Sequence, residues 1–265
     1  MTAPMRQPVL AAVLVLACAF SPLTAPLAAR HPAHARAPAP THAKVGYTRP
    51  AERVLIQTRT ASGGEGWSML RGWHETGHEG AAPYEAWYDP LRYGMRVETR
   101  EAAGKRAHGY NGQGDWQILP DGTTLADDDP AGVAATRTEA FFAAAGYFHR
   151  ARFDARGELL GARSDHGRSF DVVLVKPWGG NARDLWFDRR THLLARMIDR
   201  SGRQPVTWQF SDYRKVGPVM VAFQITLDRG EGPVLRRRDA VVFAPSDRGL
   251  FSLPRTVDAA QTPRP

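Results

Sequence analysis

Residues 206–227, VTWQFSDYRKVGPVMVAFQITL, carry the clearest structural pattern in the chain. Trp208 and Phe210 alternate with polar residues in the first half, and apolar residues occupy every second position of the second half as far as Leu227. Alternation with a period of two, in β-branched and aromatic residues, is typical of half-buried antiparallel strands. The polar residues and the Gly-Pro pair at 212–218 predict the turn. The stretch therefore predicts a hairpin with one apolar face, which contacts either a core or a ligand.

The composition is that of a globular protein with a basic surface. The chain has 265 residues, of which 43% are hydrophobic and 23% charged. Without its ends it suits one domain of roughly 200 residues. The formal net charge of +8 favours encounters with nucleic acid, anionic lipid or acidic partners. Composition alone leaves the choice among these partners open.

The N-terminus has the pattern of a secretory signal peptide. Arg6 precedes an apolar run at 9–20 that is too short to span a bilayer, and Ala-His-Ala at 33–35 offers a cleavage site. We therefore expect residues 1–35 to be removed on export to the periplasm, which argues against nucleic acid as a partner. Cys18, the only cysteine, loosely resembles the acylated cysteine of a bacterial lipobox. An ordinary cysteine of the signal's apolar region is favoured, because the apolar run continues beyond it.

Three segments are predicted after the signal peptide. Residues 36–49 are rich in Pro and Ala without apolar periodicity, which predicts a disordered leader. Residues 50–254 form the predicted domain, and residues 255–265 form a tail. An Ala-rich stretch at 133–148 predicts the main helix. Residues 50–62, with Pro near the start and Gly after the end, predict a shorter helix, with a strand as the alternative.

The rest of the domain predicts about ten short strands separated by turn residues. They lie at 73–80, 84–89, 93–101, on both sides of an Asn-Gly turn within 107–119, at 170–175, 184–188 and 193–199, in the hairpin, and at 234–243. Residues 123–132 are predicted to form a loop, and Trp67 with Leu70 one more helical turn. Many short antiparallel strands with a few helices predict an α+β, mainly β fold. The expected architecture is an open, curved antiparallel half-barrel capped by one or more helices.

One catalytic motif is present in letters. His74-Glu75-Thr76-Gly77-His78 matches the HExxH pattern of zinc proteases, which needs both histidines on one face of a helix. Gly77, inside the motif, weakens a helix at this position. In a strand the two histidines lie ~13 Å apart, too far to ligate one metal. A structural role is favoured, so no metal site, cofactor or enzymatic activity is predicted. A zinc-dependent hydrolase using His74, Glu75 and His78 stays the alternative.

A run of three arginines, Arg236, Arg237 and Arg238, lies in a predicted strand. Charged side chains commonly mark solvated strand edges, which is the favoured interpretation. The alternative is a site for anionic head groups.

Five short motifs, in order, carry a resemblance to a known family. They are Ala61-Ser62-Gly63-Gly64 with Trp67, Gly109-Tyr110-Asn111-Gly112 with Trp116, Thr138-Glu139-Ala140 with Gly146-Tyr147-Phe148, Leu185-Trp186-Phe187-Asp188 with Thr191 and Leu193-Leu194, and Phe210-Ser211-Asp212-Tyr213-Arg214 before Val219 and Val221. In this order they resemble the exported outer-membrane lipoprotein-sorting proteins, the LolA-like family. The resemblance implies a curved antiparallel sheet, capped by helices, around an apolar cavity for acyl chains.

The predicted function combines the export signal, the alternating strands and this resemblance. We expect a periplasmic, non-enzymatic carrier of lipid or lipoprotein acyl chains that approaches anionic membrane surfaces. An envelope module that binds another protein through its sheet edge is a further alternative. Large apolar side chains on the strands are expected to line the cavity, although such stripes also form closed cores. The predicted ligand-binding residues are Trp116, Trp186, Trp208, Phe210, Phe223 and Ile225.

Overall fold

The computed structural model describes residues 46–127 and 129–253, and its strands form one sheet. The first seven strands are β1 (Gly46–Tyr47), β2 (Trp73–Glu79), β3 (Ala82–Asp89), β4 (Gly94–Glu101), β5 (Gly104–Tyr110), β6 (Asp115–Ile118) and β7 (Thr124–Asp127). The others are β8 (Ala155–Asp165), β9 (Arg168–Pro177), β10 (Arg183–Asp188), β11 (Leu194–Asp199), β12 (Val206–Val216), β13 (Val219–Asp228) and β14 (Pro233–Val242). The predicted signal peptide, Cys18 and the tail lie outside the described residues.

The sheet is open and almost wholly antiparallel. Its spatial order is β1-β8-β9-β10-β11-β12-β13-β14-β2-β3-β4-β5-β6-β7, so that β1 and β7 are its two edges. Only the β1–β8 pair is parallel among the described strands. Strand β14 joins the C-terminal strands to the N-terminal ones by pairing with both β13 and β2. The predicted open half-barrel is confirmed, with fourteen strands instead of about ten.

Helices cover one side of this sheet. Helix α1 (Arg49–Ala61) is the predicted short helix, and it begins with Pro50 in its first turn, where proline is tolerated. Helix α2 (Gly66–Met69) is the extra turn predicted around Trp67. Helix α3 (Pro130–Ala143) is capped by Asp129, whose side chain accepts a hydrogen bond from Gly132 N at 3.1 Å. It ends earlier than predicted, and a 3₁₀ turn (Gly146–Phe148) follows it.

The hairpin at 206–227 is present but longer than predicted. Strand β12 continues to Val216, so the turn consists of Gly217 and Pro218 alone and not of the whole polar stretch. The polar residues before the turn are mostly exposed and stay in the strand through their pairing with β13. Asp212 interrupts the strand with a φ of 51°, and pairing with β13 resumes at Tyr213.

Sequence patterns missed β1, β7 and β8. Strand β8, ARGELLGARSD, is mostly exposed, and its inward positions include Ala155 and Gly157 where the pattern requires large apolar residues. Position 157 has no room for a larger residue, because the Tyr47 ring lies against it and an added Cβ would approach Tyr47 Cδ1 to 2.4 Å. Strand β7 has only four residues and lies within the predicted loop.

The core lies between the helices and the sheet. Phe141 of α3 is fully buried, together with Val173 and Val175 of β9 and Leu185 of β10. Full burial of one such side chain stabilises the fold by about 1.5–3 kcal/mol. Among the described residues no helix is long and apolar enough to cross a membrane.

Candidate ligand-binding cavity

A cavity of about 530 Å³ lies beside the packed core. Its walls come from the three helices, the 3₁₀ turn after α3, and strands β2, β3 and β10 to β14. Four of the lining residues are exposed to solvent: Ala135, Ser201, Gly202 and Arg229. The mouth of the cavity therefore lies between the first half of α3 and the β11–β12 and β13–β14 turns. The volume falls in the range of small-molecule sites, ~300–1,000 Å³.

Three of the predicted residues lie at the cavity. Trp208, Phe210 and Ile225 all line it. Phe210 pairs with Ile225 across β12 and β13, and Trp208 pairs with Leu227, so these side chains share one face of the hairpin. This face is the apolar face that the alternation predicts, and here it borders a void.

The other three predicted residues lie away from the lining. Trp116 packs against Gly109, where an added Cβ would approach its Cζ2 to 2.3 Å, and its Nε1 donates to Phe251 O at 2.8 Å. His108, next to Gly109 on β5, contacts Glu139 at the cavity. Because successive residues of a strand face opposite sides, Trp116 lies on the far face of the sheet, covered by the C-terminal 3₁₀ turn.

Trp186 lies on the far face for the same reason. Its neighbours Leu185 and Phe187 are buried in the core, and its own ring contacts Phe170 and the Arg196 guanidinium, 5.7 and 5.0 Å from its centroid. Phe223 is buried, with the Arg214 guanidinium 4.4 Å from its ring centroid.

Aromatic side chains of the helical cap and of β2 complete the apolar wall, and the prediction omitted them. Trp67 and Trp73 stack with centroids 6.4 Å apart, and Phe148 lies 5.2 Å from Trp67. Phe142 and Tyr147 also line the cavity. The cluster of aromatic residues near the end of the predicted helix at 133–148 is the signal that pointed to this wall, but only the tertiary fold brings it opposite the hairpin.

The HETGH segment is part of strand β2, and its two histidines bind different carboxylates. His74 Nε2 lies 2.8 Å from Glu85 Oε1, and His78 Nδ1 lies 2.9 Å from Asp239 Oδ2. Within 46–127 and 129–253, no group of three His, Cys, Asp or Glu side chains is placed to hold a metal ion. This geometry does not favour the zinc-hydrolase alternative.

Glu75 faces the interior and joins a buried polar network. Its side chain is 1% exposed and accepts hydrogen bonds from Arg238 Nε at 2.6 Å, Trp73 Nε1 at 2.7 Å and Tyr84 OH at 3.1 Å. Burial works against the charge of Arg238, but the Glu75 carboxylate outweighs it and raises the pKa of Arg238. Arg238 therefore stays charged, and the Glu75 carboxyl is occupied by structural partners.

The arginine run corrects the prediction of a solvated edge. Strand β14 is an inner strand of the sheet, so its side chains alternate between cavity and solvent. Arg236 and Arg238 line the cavity, whereas Arg237 is exposed. Arg236 Nε donates to Glu79 Oε2 at 2.8 Å.

Two further ion pairs lie on the cavity wall. Arg183 Nε donates to Asp199 Oδ2 at 3.0 Å, and its guanidinium lies 4.4 Å from the Trp208 ring centroid. On α3, Glu139 faces His108, with Nε2 and Oε1 3.4 Å apart. Burial alone would raise the pKa of Glu139, but His108 lowers it to about 2. Burial alone would lower the pKa of His108, but Glu139 raises it. The cavity is therefore apolar on the hairpin side and charged on the β14 and α3 sides.

Comparison with known proteins supports the fold. No family model matches the sequence, and no curated protein matches it. Among solved structures, a putative outer membrane lipoprotein-sorting protein domain from Vibrio parahaemolyticus is similar with a TM-score of 0.51 at 11% identity, over 76% of this chain and 97% of that one. A LolA superfamily protein from Nitrosomonas europaea has a TM-score of 0.51 at 12% identity, over 77% and 97% of the two chains. The chain therefore has a LolA-like fold, as its motifs suggested.

Proposed function

We propose that this protein is an exported, non-enzymatic carrier that holds a lipid or lipoprotein acyl chain in its cavity and acts in the periplasm. The observation that carries the proposal is the cavity of about 530 Å³ in an open half-barrel, bordered by Trp208, Phe210 and Ile225. The N-terminal signal pattern supports export. The similar Vibrio domain is described as a lipoprotein-sorting protein, and the fold alone hosts more than one function.

Binding would be driven by removing the chain from water. Each buried methylene contributes ~0.8 kcal/mol, so a chain of ordinary length gains enough to remain bound in a pocket of this kind. The net charge of +8 would favour approach to an anionic membrane surface, where cargo is received or delivered.

Saturable binding of a fluorescent fatty acid by the purified protein tests the proposal, together with mass spectrometry of organic extracts. We expect lipid in the extract and stoichiometric binding. Ala143 lines the cavity from α3, so Ala143→Trp should reduce binding strongly by filling it. Ala102, exposed in the turn between β4 and β5 and outside the lining, offers the control Ala102→Trp, which should bind as the wild type does. Empty protein that binds no fatty acid would contradict the carrier and favour an envelope module that binds another protein.

A further inference from the structure

Four arginines line the cavity: Arg183, Arg229, Arg236 and Arg238. Two of them are occupied by structural contacts. Arg238 donates to Glu75 and to the Ala222 carbonyl oxygen, and Arg183 donates to Asp199 beside Trp208. These contacts hold both guanidinium groups in place, so neither is the first choice for a ligand.

Arg229 and Arg236 are different because they share one carboxylate. Arg236 donates to Glu79 through Nε and Nη2, both to Oε2. Arg229 Nη1 lies 3.8 Å from the other oxygen, Oε1. Two guanidinium groups therefore share the single carboxylate of Glu79, and Glu75 and Glu139, which pair with Arg238 and His108, also attract Arg236. Glu79 lies behind the two arginines and is absent from the lining among the described residues.

These two arginines also lie at the right depth for a head group. The Arg229 side chain is 56% exposed at the mouth, Arg236 is 19% exposed, and Arg238 further in is 12% exposed. A guanidinium that is partly shielded from water binds carboxylate or phosphate oxygens more strongly than a fully solvated one, through paired N–H donors.

The apolar wall starts where these arginines end. Arg236 is the register partner of Ile225, and Ile225 is the partner of Phe210. A chain attached to a head group at Arg236 would therefore pass directly over the hairpin face. Across the strands from Arg236 to Phe210, a charged contact is followed by apolar ones, which matches the head group and the chain of an amphiphile.

From this arrangement we propose that Arg229 and Arg236 form an anionic head-group site, so that the cavity selects anionic amphiphiles over neutral ones of equal chain length. The inference rests on the proposed carrier function and specifies its ligand class. The shared chemistry is a carboxylate or phosphate oxygen at the end of an acyl or alkyl chain.

Displacement of the neutral probe N-phenylnaphthylamine by three ligands of equal chain length tests this site. Dodecanoate and dodecyl phosphate carry the two anionic groups, and dodecanol is neutral. We expect the anions to displace the probe at concentrations about tenfold or more below dodecanol, because a tenfold difference corresponds to ~1.4 kcal/mol, which a single charged hydrogen bond can supply. The better of the two anions identifies the head group.

Variants assign the preference to the two arginines. Arg229→Gln changes an exposed side chain and should reduce the anion preference severalfold without affecting dodecanol. Arg236→Lys keeps the charge but removes the guanidinium N–H donors that Glu79 leaves free, and should reduce the anion preference as well. Arg214, 57% exposed and outside the lining, provides the matched control Arg214→Gln, which should keep the full preference.

The two levels of the account fail in different ways. Equal displacement by all three ligands in the wild type, or an anion preference unchanged in Arg229→Gln and Arg236→Lys, would overturn the head-group site and leave the carrier intact. A probe that does not bind, with no displacement by any ligand, would overturn the carrier itself and the head-group site with it.

Discussion

At the scale of single residues, the Glu75 carboxylate is almost fully buried, although the HExxH pattern marks it as a catalytic base. It instead satisfies three donors inside the sheet, from Trp73, Tyr84 and Arg238. Buried polar groups of this kind stabilise a fold only while all partners are present, because an unpaired charge cannot be hydrated there. Sequence letters alone do not separate these two roles, since they depend on which face of a strand the residue occupies.

Glu75→Ala should lower the free energy of unfolding by about 3–5 kcal/mol, because Arg238 would remain buried without its carboxylate. Replacing both residues, with Arg238→Met, should recover part of the loss. Glu85 is 43% exposed and pairs with His74, so Glu85→Ala should cost less than about 1 kcal/mol. Urea unfolding measures all three variants. A Glu75→Ala protein as stable as the wild type would contradict this role.

A second residue, His149, makes stability depend on pH. It is 6% exposed, and its Nε2 makes no hydrogen bond within the described part of the chain. Burial, together with Arg152 and Arg59, lowers the pKa of His149 from 6.5 to about 4. Between pH 6.5 and about pH 4, His149 binds a proton in the unfolded chain but not in the folded protein. The free energy of unfolding therefore falls as the pH falls through this range.

We expect His149 to account for a loss of about 2–3 kcal/mol between pH 7 and pH 4. His149→Asn should lack this part of the loss, because asparagine does not titrate. His108 acts in the opposite direction: its raised pKa gives stability that is lost as pH rises. Denaturant unfolding at pH 7 and pH 4 compares the two proteins. An equal loss of unfolding free energy between the two pH values in wild type and variant would rule out His149 as the source.

At the scale of elements, periodicity predicts the strands that bury large side chains and misses those that do not. The hairpin, β2 to β6 and β9 to β11 lie where their apolar and turn residues predicted strands, and α1 and α3 follow Pro and Ala signals, although α3 begins at Pro130 inside the predicted loop. Strand β8 is recognisable only through its partners, because its inward positions include small residues. Only three of the six predicted ligand residues line the cavity. The face on which a side chain lies depends on the register of its strand, and a single segment of sequence does not encode that register.

Pairing between β2 and β14 provides an element-scale prediction. Gly77 lies opposite Arg238, and a Cβ added at Gly77 would approach the Arg237 carbonyl oxygen to 2.0 Å. Backbone atoms cannot move away without separating the strands, so Gly77→Ala should cost at least about 2 kcal/mol. Gly114 has no heavy atom within 4 Å of such a Cβ, and Gly114→Ala should be nearly neutral. Thermal unfolding of both variants provides the measurement, and equal stability would contradict the predicted clash.

At the scale of the whole molecule, the sheet has two faces with different roles. Trp116 and Trp186 pack on the far face, while Trp67, Trp73 and Trp208 line the cavity. The arginines of β14 and Glu139 of α3 add charge to one side of an otherwise apolar space. The interior therefore combines a packed core with a cavity, and the cavity is the observation that supports the proposed carrier.

Quenching of tryptophan fluorescence by a brominated fatty acid tests the central claim most directly, because bromine quenches only at close contact. We predict saturable quenching of the wild type that Trp208→Phe reduces and Trp186→Phe leaves in place, since Trp208 alone of these two lines the cavity. Ala143→Trp, which fills the cavity, should weaken the binding that produces the quenching. Quenching that is absent, or that depends on Trp186 and not on Trp208, would contradict a ligand-binding cavity on this face of the sheet.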